Sequence, residues 1–555
     1  MEGATARNTA APGFRRTGSG GTGAVRGGSS DALRAGKGNS ISDILYDNFS
    51  VTTIFISDWV IGPRPINAVA PTPPRRHTPA KRPKRVEMTE MLRNSLDHGL
   101  EEPAPALGTL PRGEPVQVFA VPPGTPARPR IARAEGIYMW DTTGRRYIDA
   151  GSGPVACNIG YGNRRVLDTL QRQAEAAAFA NPSTFESAAN RGFAERIAEA
   201  AGPGYERVFV VSGGSEANEA AMKLARQMAV ARGEASRWKV ISRQPSYHGG
   251  TLGALSVTGD PAAEDLFGPM MRTMPKVPAP VTYRIPAGFD QEGWAEHCAE
   301  VLERTIVEEG PQTVLAFIQE PVGGLATGAL VPHDTYMRRV REICDRHGVL
   351  LIHDEVMSGG GRTGVFLSHQ IWPDCRPDLV VMAKGAGAGY FPLGVVLAPR
   401  DRVAEVAGAG GFMHGHTAFG NPLACAVGLA VLDETLDGGL IANAATQGAR
   451  LRARLDALVE SSPIVGDVRG KGLLMALELV ADKQRQTPFP AAAMAGATLA
   501  RVALEQGLIL YQRRTNAGRD GDWVMVAPPL IATSEEIDLI ADGIEAAVAE
   551  TVRRL

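Results

Sequence analysis

The sequence predicts an α/β protein in which a mostly parallel sheet is wrapped by helices and followed by a second, smaller C-terminal domain. Three observations carry this. From Gly136 onward, short apolar runs rich in β-branched residues alternate with longer helical stretches. After about Asn421 the composition turns Ala-, Leu- and Arg-rich and helical. The 555 residues, 44% hydrophobic and 21% charged, are ample to bury a large core. In order, the strand-like runs are 208–211, 239–241, 314–318, 349–352, 379–382 and 394–397. Helical spacing then covers 423–435 and 444–459, a strand-like run covers 472–477, and a last helix is expected over 534–553.

The first 86 residues differ in kind. They hold thirteen Lys and Arg against five acids, a net +8, whereas the remainder carries −10. Glycine and proline runs such as Gly18–Gly23 and Pro71–Pro74 cannot bury enough apolar surface to order themselves. The expectation is a disordered, dispensable basic tail over 1–86, with an organelle transit peptide and a basic interaction arm as the competing readings. Over the whole chain, 58 basic and 60 acidic residues give −2, so no global basic field exists to hold nucleic acid. The apolar run 51–61 is broken by Asp58 and falls far short of the ~20 residues a bilayer needs. Five scattered cysteines, with no C-x-x-C, fit a reducing cytosol and argue against a disulfide scaffold or a zinc site, and no metal is expected.

In a sheet of this type, ligands gather beyond the carboxyl ends of the strands. Five such ends carry chemistry. Ser212-Gly213-Gly214-Ser215 precedes a helix, and free N–H groups at a helix start cradle a phosphate, although a simple N-cap is the commoner use of such a turn. Tyr247-His248 sits on a Gly-rich turn that a packed loop would explain equally well. Asp354 and Glu355 end an apolar strand and must point to opposite faces, so one is aimed at the ligand side. A buried carboxylate there needs a cationic partner, which a protonated pyridine nitrogen supplies. Lys384 directly follows another apolar strand, where desolvation or a Schiff base makes lysine reactive. The fifth is the Gly-rich loop 413–422 with its one hydroxyl, Thr417. Two matches to G-x-G-x-x-G, Gly18–Gly23 and Gly359–Gly364, lack the strand-then-helix context of a dinucleotide site.

Taken together in this order, the five elements resemble the class III, fold type I aminotransferases that use pyridoxal 5′-phosphate. The resemblance covers about Arg133 to Leu555. It implies a seven-stranded, mostly parallel sheet in a large domain (166–420). A smaller α+β domain (421–555) would be joined by a contribution from 87–165. It also implies a homodimer or dimer of dimers in the cytoplasm. Lys384 would form the Schiff base and then move the proton, with Asp354 on the pyridine nitrogen, and Val356 and Tyr247 on the two ring faces. Ser212, Gly213, Gly214 and Ser215 would take the phosphate, His248 and Glu320 would support the site, and Thr417 would reach the phosphate of the neighbouring subunit.

Several positions depart from the family pattern. The place of the carboxylate-clamping arginine holds Tyr511, with Arg513 and Arg514 nearby, and the place of a gating glutamate holds Leu325. Tyr161-Gly162 stands for a usual His-Pro, and Gly360 for a usual Phe. The substrate pocket is therefore expected to involve Leu325, Tyr511, Arg513 and Arg514 and to suit a donor with an apolar or uncharged portion. The reaction implied is transfer of an amino group from an amine, ω-amino acid or amino acid to a keto acid, pyruvate first and 2-oxoglutarate second, by a ping-pong mechanism. An aminomutase or decarboxylase of the same fold is the alternative, and a non-catalytic scaffold with a basic arm a distant one.

Overall fold

A computed structural model describes residues 128–555, so the expected basic tail and the start of the 87–165 segment lie outside the described residues. Three short strands open the described chain: β1 (Ile131–Glu135), β2 (Tyr138–Asp141) and β3 (Arg146–Asp149). The main sheet follows, with β4 (Arg207–Val211), β5 (Lys239–Gln244), β6 (Lys276–Pro278), β7 (Val314–Gln319), β8 (Leu350–Asp354), β9 (Leu379–Met382) and β10 (Gly394–Ala398). Its order is β4-β10-β9-β8-β7-β5-β6. Only β10 runs against its neighbours β4 and β9. The other pairings, β5 with β6 and β7, β7 with β8, and β8 with β9, are parallel.

Strand sequence explains the layering. Helices cover both faces, so nearly every residue of β7 to β10 is buried, and alternation sends successive side chains to different cores. Leu350 and Ile352 pack with Ala217, Ala221 and Leu224 of the helix Gly214–Ala231. Leu351 packs on the other side with Cys298, Leu302, Tyr336 and Val340 of the helices Gln291–Glu309 and Asp334–His347. Asp354 is thereby committed to the face of the first helix and Glu355 to the other.

After the helices Pro422–Asp437 and Leu440–Ser461 come β11 (Val465–Lys471), β12 (Leu474–Asp482), β13 (Thr487–Pro488), β14 (Leu508–Ile509) and β15 (Asp522–Val526), then the helix Ser534–Arg554. That last helix opens on a capping box, Thr533 with Glu536, and carries acids in its first turn and arginines in its last, as the helix dipole favours. β12 lies between β11 and β15, while β14 pairs in parallel with β3. Ile137 and Ala150 share one core with Leu451, Leu477, Val524 and Ile540, so the earliest and latest described strands pack together. Arg362 fastens these parts: its buried guanidinium donates to the carbonyls of Leu473 and Pro528, to Ser152 Oγ, and to Asn158 Oδ1 at 2.7 Å. Burial pushes it down to about 9. Among the described residues no helix is long and apolar enough to cross a membrane. All five cysteines are free, and four are buried.

Candidate active site

The strand ends converge on a cavity of about 460 Å3. Ser212, Gly213, Gly214, Ser215, Tyr247, His248, Glu320, Leu325, Asp354, Val356 and Lys384 all line it. Residues separated by up to 172 positions meet there because each stands just past, or in the turn after, a strand of one sheet whose carboxyl end faces that side.

The helix Gly214–Ala231 starts at Gly213, whose extended backbone offers no side-chain cap, so the first N–H groups of an 18-residue helix face the cavity unsatisfied. A Cβ on Gly214 would meet Val356 Cγ1 at 3.0 Å, so any larger residue would have to push Val356 back from this wall. Ser215 Oγ accepts from Gly250 N at 3.0 Å, which ties the helix start to the Tyr247 turn.

Asp354 is held from three sides. Its Oδ2 faces His248 Nδ1 at 2.8 Å and accepts from Asn218 Nδ2 at 2.8 Å, while Oδ1 accepts from Val356 N at 3.0 Å. A carboxylate accepts about four hydrogen bonds. One position therefore remains for a donor in the cavity. Asn218, absent from the sequence-based site, is fully buried and also donates to the His248 carbonyl at 2.6 Å. Its signal was an amide on the alanine-rich buried stripe, one turn after Gly214.

Lys384 follows β9 with φ 43°, a left-handed conformation that costs a lysine about 1–2 kcal/mol. Strain of this kind at a cavity wall marks a position held for its side chain. Desolvation pushes its amine down to about 8, against the opposing pull of Asp354 and Glu320 and with help from the nearby Arg513 cation. Glu320 is buried and raised by desolvation, with His248 and Arg243 opposing. Its carboxylate accepts from Gly324 N at 2.8 Å and Tyr247 N at 3.3 Å.

Four predicted residues lie off the cavity wall. Thr417 is exposed and does not line the cavity of its own chain. Tyr511 is partly buried against the core that includes Leu325, and it pairs with Met525. Arg513 is exposed, with its guanidinium 4.7 Å from the Tyr247 ring centre. Arg514 instead bonds the Ala491 carbonyl and packs over Gly518, turned away from the cavity. Two departures find local reasons. Tyr161 reaches the buried Asp149 at 2.5 Å, and Gly360, at φ 68°, leaves room for Asn158, which donates to its carbonyl at 3.0 Å.

The family profile described as Aminotransferase class-III matches residues 122–548. The chain belongs to the class-III aminotransferases. It is 38% identical over 431 residues to a diaminobutyrate–2-oxoglutarate transaminase of Halomonas elongata, covering 75% of this chain and 89% of that one. A taurine–pyruvate aminotransferase of Rhodobacter capsulatus is 34% identical over 442 residues, covering 76% and 91%. Among solved structures, the omega transaminase of Pseudomonas jessenii in complex with PMP superposes with a TM-score of 0.72 at 33% identity, covering 77% and 94%. The protein is thus a pyridoxal-phosphate-dependent transaminase of fold type I. The cavity fits that cofactor: free helix-start N–H groups suit a phosphate, a spare acceptor on Asp354 suits a protonated ring nitrogen, and a desolvated lysine suits an aldehyde. Membership removes the scaffold alternative.

Proposed function

We propose that this transaminase takes the amino group from a donor with an apolar or uncharged portion and passes it to a small keto acid, pyruvate first and 2-oxoglutarate second, in two half-reactions. The observation that carries this is the wall composition. Leu325, Met357, Phe391 and Leu393 make the cavity apolar, and Arg513 stands beside it on Tyr247 with no ion pair among the described residues. The two relatives are named for 2-oxoglutarate and for pyruvate as partners, which supports the acceptor class.

In this reading Lys384, about half neutral at pH 8, would hold the cofactor and, once freed, would take the proton from the donor Cα and return it. Asp354, oriented by Asn218 and His248, would hold the ring nitrogen. Gly213, Gly214 and Ser215 would receive the phosphate with Ser212 beside them, and Tyr247 and Val356 would flank the ring. Bound pyridoxal phosphate supplies the electron-withdrawing ring that stabilises charge on the donor carbon. The apolar wall excludes water while that charge exists. Arg513 swings from Tyr247 to the acceptor carboxylate, a charge-assisted contact. Thr417 serves the cavity of a second copy. Exposed apolar side chains, Phe185 at 66% and Met413 at 72%, support such a dimer, and Asn190, which binds the Gly420 carbonyl, joins their segments. Residues 421–555 with 128–165 form the smaller domain, consistent with their shared core.

The test is the visible absorption of the holoenzyme while amino acids, diamines, ω-amino acids and monoamines are added singly. One donor class should bleach the cofactor band, and pyruvate should restore it. Carbon dioxide release, or a keto product without an acceptor in catalytic turnover, would favour the decarboxylase or aminomutase instead.

A further inference from the structure

The cavity has a support that never reaches it. Arg243, the penultimate residue of β5, is fully buried. Among the described residues it forms no ion pair, and its Nε and Nη1 have no hydrogen-bond partner. Its Nη2 donates to the main-chain carbonyl of Glu320. An unpaired buried guanidinium is costly, and apolar replacements of buried charges are often neutral or stabilising, so fold stability does not explain this arginine.

Topology supplies the explanation. β5 and β7 pair in parallel, with Ser242 opposite Ile318, so Arg243 and Glu320 stand at neighbouring strand ends. Glu320 then turns its carboxylate back to Tyr247 N and forward to Gly324 N. Ser246 Oγ donates to the Arg243 carbonyl at 2.7 Å, which fixes the short span between Arg243 and Tyr247. The result is a closed ring of contacts: Arg243 side chain to Glu320 backbone, Glu320 side chain to Tyr247 backbone, and the chain back to Arg243. Tyr247 and Leu325, both cavity walls, hang from this ring.

We propose that Arg243 is a positioning residue for transamination, holding the Tyr247 turn and the Leu325 segment in place through Glu320. The inference rests on the reading of Tyr247 and Glu320 as site residues. Burial raises Glu320, and His248 and then Arg243 oppose that shift.

The test uses the holoenzymes of wild type, Arg243→Met, Arg243→Lys, Glu320→Gln and the double variant, with the donor and acceptor found for the wild type. Arg243→Met should melt at or above the wild-type temperature. Its kcat should fall ~10- to 100-fold, as for a misplaced wall, with donor KM within about 3-fold. The visible circular dichroism of the bound cofactor should weaken, and Arg243→Lys should recover part of both signals. Adding Glu320→Gln to Arg243→Met should cost nothing beyond Glu320→Gln alone. An Arg243→Met enzyme with wild-type kcat and circular dichroism overturns the proposal, as do losses that multiply in the double variant. If Arg243→Met is not recovered folded, the same cycle with Arg243→Lys decides by the same criteria. A wild type that binds cofactor but turns over no donor refutes the donor reading alone, since the circular dichroism still tests Arg243.

Discussion

Asp354 and Glu355 are chain neighbours on opposite faces of one sheet, and the two faces treat a carboxylate in opposite ways. On the cavity face, Asp354 keeps an acceptor position unused, the helix start at Gly213 is uncapped, and Lys384 holds a left-handed backbone. On the other face the carboxylate itself has nothing to spare. Glu355 accepts from Ser358 Oγ at 3.0 Å, Ser368 N at 2.7 Å and His369 N at 2.8 Å, with His369 Nδ1 at 3.2 Å. His353 beside it faces Gln319 at 3.0 Å, and burial holds it well below the usual histidine range. The donor atoms of His353, Glu355 and His369 lie within 4.8 Å of one another, an arrangement reminiscent of a metal site, yet both Glu355 oxygens are already taken. Asp354 keeps an acceptor where a ligand must enter, whereas both oxygens of Glu355 are spent on holding the loop behind the sheet.

Lys384→Ala should break the contrast most deeply. Turnover should fall on the order of 10⁴-fold, the upper end of what a positioned proton-transfer group contributes, with the melting temperature kept or raised because a desolvated amine is removed. A variant that still transaminates would refute the role assigned to this lysine.

Paired substitutions at the two carboxylates sharpen it. Asp354→Asn should lower kcat on the order of 10² to 10³-fold at nearly unchanged stability. Glu355→Gln should leave kcat within a few-fold and lower unfolding free energy by about 2–3 kcal/mol through weakened charged hydrogen bonds. Urea denaturation beside steady-state kinetics separates the two, and interchanged results would end the distinction.

The lysine shift sets a pH dependence. Below about 8 the neutral amine declines tenfold per unit, so the rate at which apo-protein takes up pyridoxal phosphate should rise with pH and level off near 8. An unshifted lysine would keep that rate rising toward 10.5. Between those values the unfolded chain holds a proton that the folded one has lost, so this group makes apo-protein stability rise with pH there. Stopped-flow absorbance and melting curves from pH 6.5 to 10.5 check both.

The smallest effect belongs to the cavity mouth. Arg513→Gln should raise acceptor KM ~10-fold for keto acids, the share of one charge-assisted contact, and leave an uncharged monoamine donor within about 2-fold. An equal change for both would remove Arg513 from the acceptor's path.

Much of this was legible in the sequence. The six runs of the main sheet became strands with their ends shifted by at most three residues, since β-branched stretches bounded by turns have few other ways to be buried, while 472–477 became the longer β12, which ends five residues later. Ser212 and Ala383 directly follow two of the runs and line the cavity, and Glu320 and Asp354 stand two residues past two others, because those strands end on one side. Strand period alone separated Asp354 from Glu355. Less visible were β6, only three residues long, and β1 to β3, whose mixed and half-exposed pattern gives no clean alternation.

By itself, then, the sequence determined the order of elements, the faces of their side chains and the identity of the groups at the strand ends. These follow from local geometry and from the need to bury apolar surface. Tertiary structure alone decided that Asn218 completes the grip on Asp354, that Tyr161 answers Asp149, that Arg513 lies over Tyr247 while Arg514 turns away, and that Arg243 holds Glu320. Apart from the pair Tyr161 and Asp149, these contacts join residues 23 to 266 positions apart. Their partners are chosen by which strand ends the sheet order sets side by side and by where buried polar atoms find an acceptor, and no local pattern records either.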